Sequence, residues 1–154
     1  MAHLCINPEG IDAPNSYTHV IIARGNRMVF IAGQYPEDPS GTLVGQGDMA
    51  KQAAQAFANL GLALRAAGAQ PQDVTRLGIY VANYKREHLE MIDPARRAVF
   101  GDHHPTDVLI GVETLAHPEY LIEVEAIAVI QDDAAPERRV TDSRALADAT
   151  DGIS

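Results

Sequence analysis

The run L-I-E-V-E-A-I-A-V-I from Leu121 to Ile130 constrains this chain most. A strand sends successive side chains to opposite faces, so this one carries Leu121, Ile127 and Val129 on one side and Ile122 and Val124 on the other. A strand that is aliphatic on both faces needs cover on both faces. The rest of the sequence offers two helical patterns, enough for one face of a five- or six-stranded sheet. The second face must find its cover elsewhere, and self-association is the expected solution.

Upstream, Y-T-H-V-I-I-A (residues 17–23) and M-V-F-I-A-G (residues 28–33) are two β-rich runs around the polar break Arg24 to Arg27. That pattern predicts a hairpin. Gln34 to Gly47 holds two prolines and three glycines and predicts a loop. Asp48 can cap a helix on which Ala53, Phe57, Leu60 and Leu64 recur at helical spacing, with Gly68 as its stop. Val74 to Ala82 alternates as a strand. A second helix is expected from about Glu87 to Phe100, with Pro94 in its first turns or at a kink. Thr106 to Leu115 and Tyr120 to Ile130 follow as strands around Ala116 to Glu119, read as a second hairpin. The order is ββαβαββ, an α+β domain over residues 15–131. Residues 1–14, punctuated by Pro8, Gly10 and Pro14, are expected to form an arm. Residues 132–154 form a polar tail with room for a short helix at Ser143 to Ala149.

Composition narrows the classes of function. Twenty-one acidic side chains against twelve basic ones give a net charge of −9. This opposes nucleic acid as a partner. No apolar run approaches the length of a membrane span, and no basic stretch followed by an apolar run opens the chain. A single cysteine, Cys5, fits a reducing compartment. The expectation is a cytoplasmic protein with neither a membrane nor a nucleic acid as partner.

The element I-E-V-E-A-I-A-V at Ile122 to Val129 has company: A-P-x-S-Y at Ala13 to Tyr17, I-A-G-Q at Ile31 to Gln34, the helix Q-A-A-Q-A-F-A-N-L-G-L-A-L-R-A-A-G-A, and D-V-T-R-L-G-I-Y-V. In this order and spacing, from about Asn15 to Ile130, the chain resembles the RidA/YjgF family, many of whose members hydrolyse reactive imines and enamines. The resemblance implies a chorismate-mutase-like ββαβαββ fold with both helices on one sheet face, a trimeric barrel on the other, small-molecule ligands and no cofactor. It also implies that Tyr17 lines a pocket, that the backbone of Gly33 faces the ligand, and that Glu123 positions or activates the hydrolytic water.

The same resemblance implies an arginine just after Pro105 as a clamp for the substrate carboxylate, but this sequence has Asp107 there. Guanidinium grips a carboxylate with two donors, whereas Asp brings acceptors and a repelling charge. Leu109 stands at a usual cysteine and Ala32 at a usual hydroxyl residue. Simple 2-iminoacids are therefore poor substrate candidates, and an arginine from the second helix is another source of positive charge. On the hairpin reading, Glu123 lies opposite about Val112, about 15 Å from Asp107, so a shared pocket has to be built between subunits.

Plainer readings stand beside these. Glu123 can be a solvated strand residue like Glu125, Tyr17 can simply pack at a strand start, and Asp107 can be a neutral replacement. Arg96 and Arg97 read as a solvated pair. The six histidines form no helical H-x-x-x-H pair and join no cysteine cluster, so no metal site is expected; His103 and His104 sit in a loop before Pro105. If the domain is not catalytic, it is a trimer that binds a small metabolite or acts through protein contacts.

Overall fold

A computed structural model of the chain describes residues 2–131. The tail expected over residues 132–154 lies outside the described residues. The elements are β1 (Leu4–Ile6), β2 (Val20–Ile22), β3 (Arg27–Gln34), α1 (Met49–Ala66), a 3₁₀ turn (Pro71–Asp73), β4 (Val74–Ala82), α2 (His88–Phe100), β5 (Thr106–Val112) and β6 (Ile122–Ile130).

Helix α1 forms where the spacing predicts it. The Asp48 carboxylate accepts from the Lys51 amide at 3.1 Å, which satisfies one orphan donor of the first turn. At the other end Gly68 takes a φ of +72°, a conformation open to glycine. The face between them buries Phe57, Leu60 and Leu64 completely or nearly so, each worth about 1.5–3 kcal/mol of burial. Helix α2 lies beside it, with the Phe57 and Phe100 rings edge-to-face at 6.4 Å. Pro94 falls in the second turn of α2.

Both helices cover one face of a four-stranded sheet of order β3-β6-β4-β5. The aliphatic strand β6 is central and antiparallel to both β3 and β4. Its even-numbered residues Ile122, Val124, Ala126 and Ala128 are buried with Leu77, Ile79 and Val81 of β4. The opposite face carries Met28, Phe30, Arg76, Tyr80, Glu123, Glu125 and Ile127. No helix covers it among the described residues.

Both expected hairpins give way to other pairings. Strand β2 pairs with β1, not β3, in a separate two-stranded sheet, so the arm over residues 1–14 contains a strand. After β2 the chain passes close against the end of β6: a Cβ on Gly25 would lie 2.6 Å from the Ile130 carbonyl oxygen. Strand β5 runs parallel to β4, which requires the crossover that α2 supplies, and it does not touch β6 in the sheet. The physical reason lies in composition: the strand richest in aliphatics takes an inner position, while half-exposed β5 takes the edge.

Candidate functional site

Glu123 sits on the open face of β6, in register with Tyr80. On the other side of β6, Ile31 pairs with Ala126 and Gln34 with Val124, so Ala32 and Gly33 together oppose Glu125. This is a β-bulge, which bends β3 and re-aims the side chains beyond it. At the bulge, a Cβ on Gly33 would lie 1.7 Å from Glu123 Oε1. The carboxyl therefore rests on bare Gly33 backbone, in space that any side chain would fill.

The Tyr35 hydroxyl faces the Glu123 carboxyl as a donor partner. Burial first, and the neighbouring Glu125 charge second, push the Glu123 carboxyl above its usual range, while the Tyr35 bond opposes them. Burial, then Glu123 and Glu37, raise the Tyr35 phenol and keep it a donor. The Tyr35 ring lies 5.0 Å from that of Tyr120, and His117 flanks Tyr120 at the same spacing. The Tyr120 hydroxyl donates to Glu37. A cleft of about 470 Å³ beside Tyr35 is lined by Glu37, Asp38, Gln34 and Asn59 among others.

Gln52 holds this end of the sheet in place. It is fully buried on α1, donates to the Gly45 and Glu119 carbonyls at 3.1 and 3.0 Å, and accepts from the Leu121 amide at 2.8 Å. Every polar atom of its amide group is thereby used to fix the entry of β6. Further along the open face, Tyr80 donates to Glu125 at 2.8 Å. Glu125 in turn lies across Gly78, where a Cβ would meet its side chain at 2.8 Å.

Asp107 lies elsewhere. It pairs with Leu77, which pairs with Ala126, so its side chain belongs to the helix-covered face and Glu123 to the other. From the strand spacings the two are about 14 Å apart. Asp107 faces Arg96 of α2, whose Nε is 3.7 Å away, with Asp93 also 3.7 Å from the guanidinium and His104 Nδ1 at 3.5 Å. Arg96 is only 5% exposed, which corrects the reading of Arg96 and Arg97 as a solvated pair; Arg97 alone is exposed, bonded to Asp93. Burial is the leading influence on both partners, raising the Asp107 carboxyl and lowering Arg96. Leu109, on the same face, packs against the core.

Tyr17 is placed at the far edge of the sheet, because Thr18 donates from its amide to the Pro105 carbonyl and from its hydroxyl to that of His104. The strand spacings separate the start of β5 from Glu123 by about 16 Å. One protomer thus brings Gly33 and Glu123 together, with Tyr17 and Asp107 apart from them. The separation expected on a hairpin basis arises instead from β5 lying beyond β4. Tyr35 and Gln52 are the site and support residues that the sequence reading missed, and Arg96 is one that it named but read as solvated. Arg96 alone carried a usable signal, since residues 92, 96 and 100 share one helix face. Among the described residues, no three His, Cys, Asp or Glu side chains converge as metal ligands. None of the described helices is long and apolar enough to cross a membrane.

A mixed sheet with both helices on one face, a bare opposite face and a carboxyl seated on a glycine bulge defines a small α+β domain with one uncovered sheet face. Comparison with known proteins gives the particular lineage. The family described as Endoribonuclease L-PSP matches residues 8–130. A RutC family protein of Pyrococcus horikoshii is 35% identical over 107 residues, covering 64% of this chain and 84% of its own length. Among solved structures, a Rid-family protein of Yersinia pestis aligns with a TM-score of 0.78 and 38% identity over 84% of this chain and all of its own. The YjgF gene product of E. coli aligns at 0.58 and 28% identity, over 68% of this chain and 81% of its own. The chain belongs to the RidA/YjgF family.

Proposed function

We propose that this protein is a RidA-like hydrolase that converts a reactive imine or enamine to a carbonyl compound and ammonia, in a pocket completed by a second copy in a homotrimer. One observation carries the reading: a carboxyl held on glycine backbone, with a tyrosine donor beside it and its affinity for a proton increased by burial. A carboxyl whose hold on a proton is strengthened is suited to take a proton and return it in turn. In this reading Glu123 takes a proton from water as the water adds to the imine carbon, then returns it to the leaving nitrogen.

Gly33 leaves room for the carboxyl, and Tyr35 orients it. Tyr17 and the start of β5 come from the neighbouring subunit, because the strand spacings hold them about 16 Å away within one chain. Asp107 pairs with buried Arg96 on the helix side of the sheet rather than gripping substrate. A net charge of −9 weighs against the nuclease activity that the family description names. The test is hydrolysis of imines generated in situ, in which Glu123→Gln abolishes the acceleration and leaves assembly intact.

A second reading has its own support. Asp107, at the position of the implied clamp, and Leu109, at that of the usual cysteine, both turn to the helix side. A non-catalytic trimer that binds a small metabolite would need neither. Saturable binding of a metabolite without turnover, unchanged in Glu123→Gln, favours this second reading.

A further inference from the structure

The charges around Glu123 point to the substrate. The carboxyls of Glu37, Glu123 and Glu125 gather about Tyr35, Tyr80 and Tyr120. The cleft beside Tyr35 adds Asp38, and no Lys or Arg lines it. Among the described residues on the open face of the four-stranded sheet, the guanidinium belongs to Arg76, which pairs with Thr106 four residues from Tyr80. At the rise of a strand its backbone stands about 13 Å along β4 from the level of Glu123, and its side chain lines a separate cleft with Phe30, Gly78 and Glu125, where the Glu125 carboxylate offsets its charge. Arg96 is buried beneath α2 and committed to Asp107 and Asp93.

An anionic substrate would therefore meet acceptors and like charge. At 5 Å and an effective dielectric near 20, one such repulsion amounts to a factor of roughly 300 in binding. A protonated imine has the opposite character. It is a cation with N–H donors, matched to carboxylates and phenol oxygens, and its planar C=N group suits the face of an aromatic ring such as Tyr35.

We propose that the substrate is a cationic iminium, or its enamine, that carries no carboxylate next to the reacting carbon. This inference rests on the hydrolase reading above. The step balances as R₂C=NH₂⁺ + H₂O → R₂C=O + NH₄⁺. A C–O bond forms, the C–N bond breaks, and nothing is oxidised or reduced. The reaction that supplies such a substrate is the two-electron oxidation of an amine, rather than of an amino acid.

The experiment sets two probes against the full-length protein. One is the imine of benzylamine, made in situ by an amine oxidase; the other is the 2-iminoacid of leucine, made by an amino-acid oxidase. The readout is loss of the semicarbazide-trappable imine, with Glu123→Gln as the control. The expected result is a Glu123-dependent acceleration at least about tenfold greater for the benzylamine imine. Equal acceleration of both, or preference for the iminoacid, overturns this inference and leaves the hydrolase reading standing. Acceleration of neither defeats the hydrolase reading, and the inference falls with it.

Discussion

At Gly33 the reason for glycine is what lies above it. A methyl group there would overlap Glu123 Oε1 at 1.7 Å, so Gly33→Ala must swing the carboxyl away from Tyr35 while leaving β3 free to form. The expected result is a fall of about 100-fold in kcat, the scale of a misplaced acid–base group, with an unchanged circular dichroism spectrum. Glu123 itself should show a cost of position. Its carboxyl binds a proton more tightly in the folded chain than in the unfolded one, so its contribution to stability is present below the unfolded pKa and is lost as pH rises through the folded value. Glu123→Gln, which keeps an acceptor for Tyr35, should therefore melt higher than the parent at pH 7. The gap should close as pH falls below the ordinary glutamate range. A lower melting temperature at pH 7 would contradict the burial of this carboxyl. Glu123 and Gly33 were legible in sequence because they sit in contiguous motifs. Tyr35 was not, since a tyrosine in a loop rich in proline and glycine gives no sign of the carboxyl it will meet.

At the scale of elements, the contact between α2 and β5 is made by the Arg96 and Asp107 pair. Its geometry is loose, at 3.7 Å with the buried Arg96 Nε without a hydrogen-bond partner, and burial disfavours both charges. Removing Asp107 leaves buried Arg96 with Asp93 as its one carboxylate partner, so Asp107→Ala should lose about 3 kcal/mol, the lower end for breaking a buried pair, whereas Arg96→Met with Asp107→Leu should match or exceed the parent. Urea titration of the three proteins separates these outcomes, and equal losses in the single and double variants would refute the account. The same elements show what local pattern can and cannot specify. Helix α1 and strand β4 were legible because cap, period and stop agree within one segment. The partners of β2 and β5 were not: a polar break between two β-rich runs looks the same whether the strands fold back on each other or part. What decides is competition for inner places in the sheet, and β6 wins because it can bury more aliphatic surface than β5.

For the whole molecule, the open sheet face is the determining feature. Phe30 is 70% and Met28 58% exposed on a strand whose alternate residue, Ile31, is buried. Apolar side chains in that number on one continuous surface signal an interface. The proposed pocket makes the same demand, since Tyr17 and Glu123 meet only across two chains. A single substitution tests both requirements. Phe30→Glu places a charge on that face without touching the helix-packed core, so the folded spectrum should persist while the mass by light scattering at micromolar concentration falls from three chains to one. If the pocket is shared, hydrolysis should vanish with assembly even though Glu123, Gly33 and Tyr35 are untouched. If hydrolysis survives in a monomer, Tyr17 has no part in catalysis and the site is complete within one chain. If the parent itself scatters as a monomer, the open face is not a contact between copies and the shared pocket is excluded.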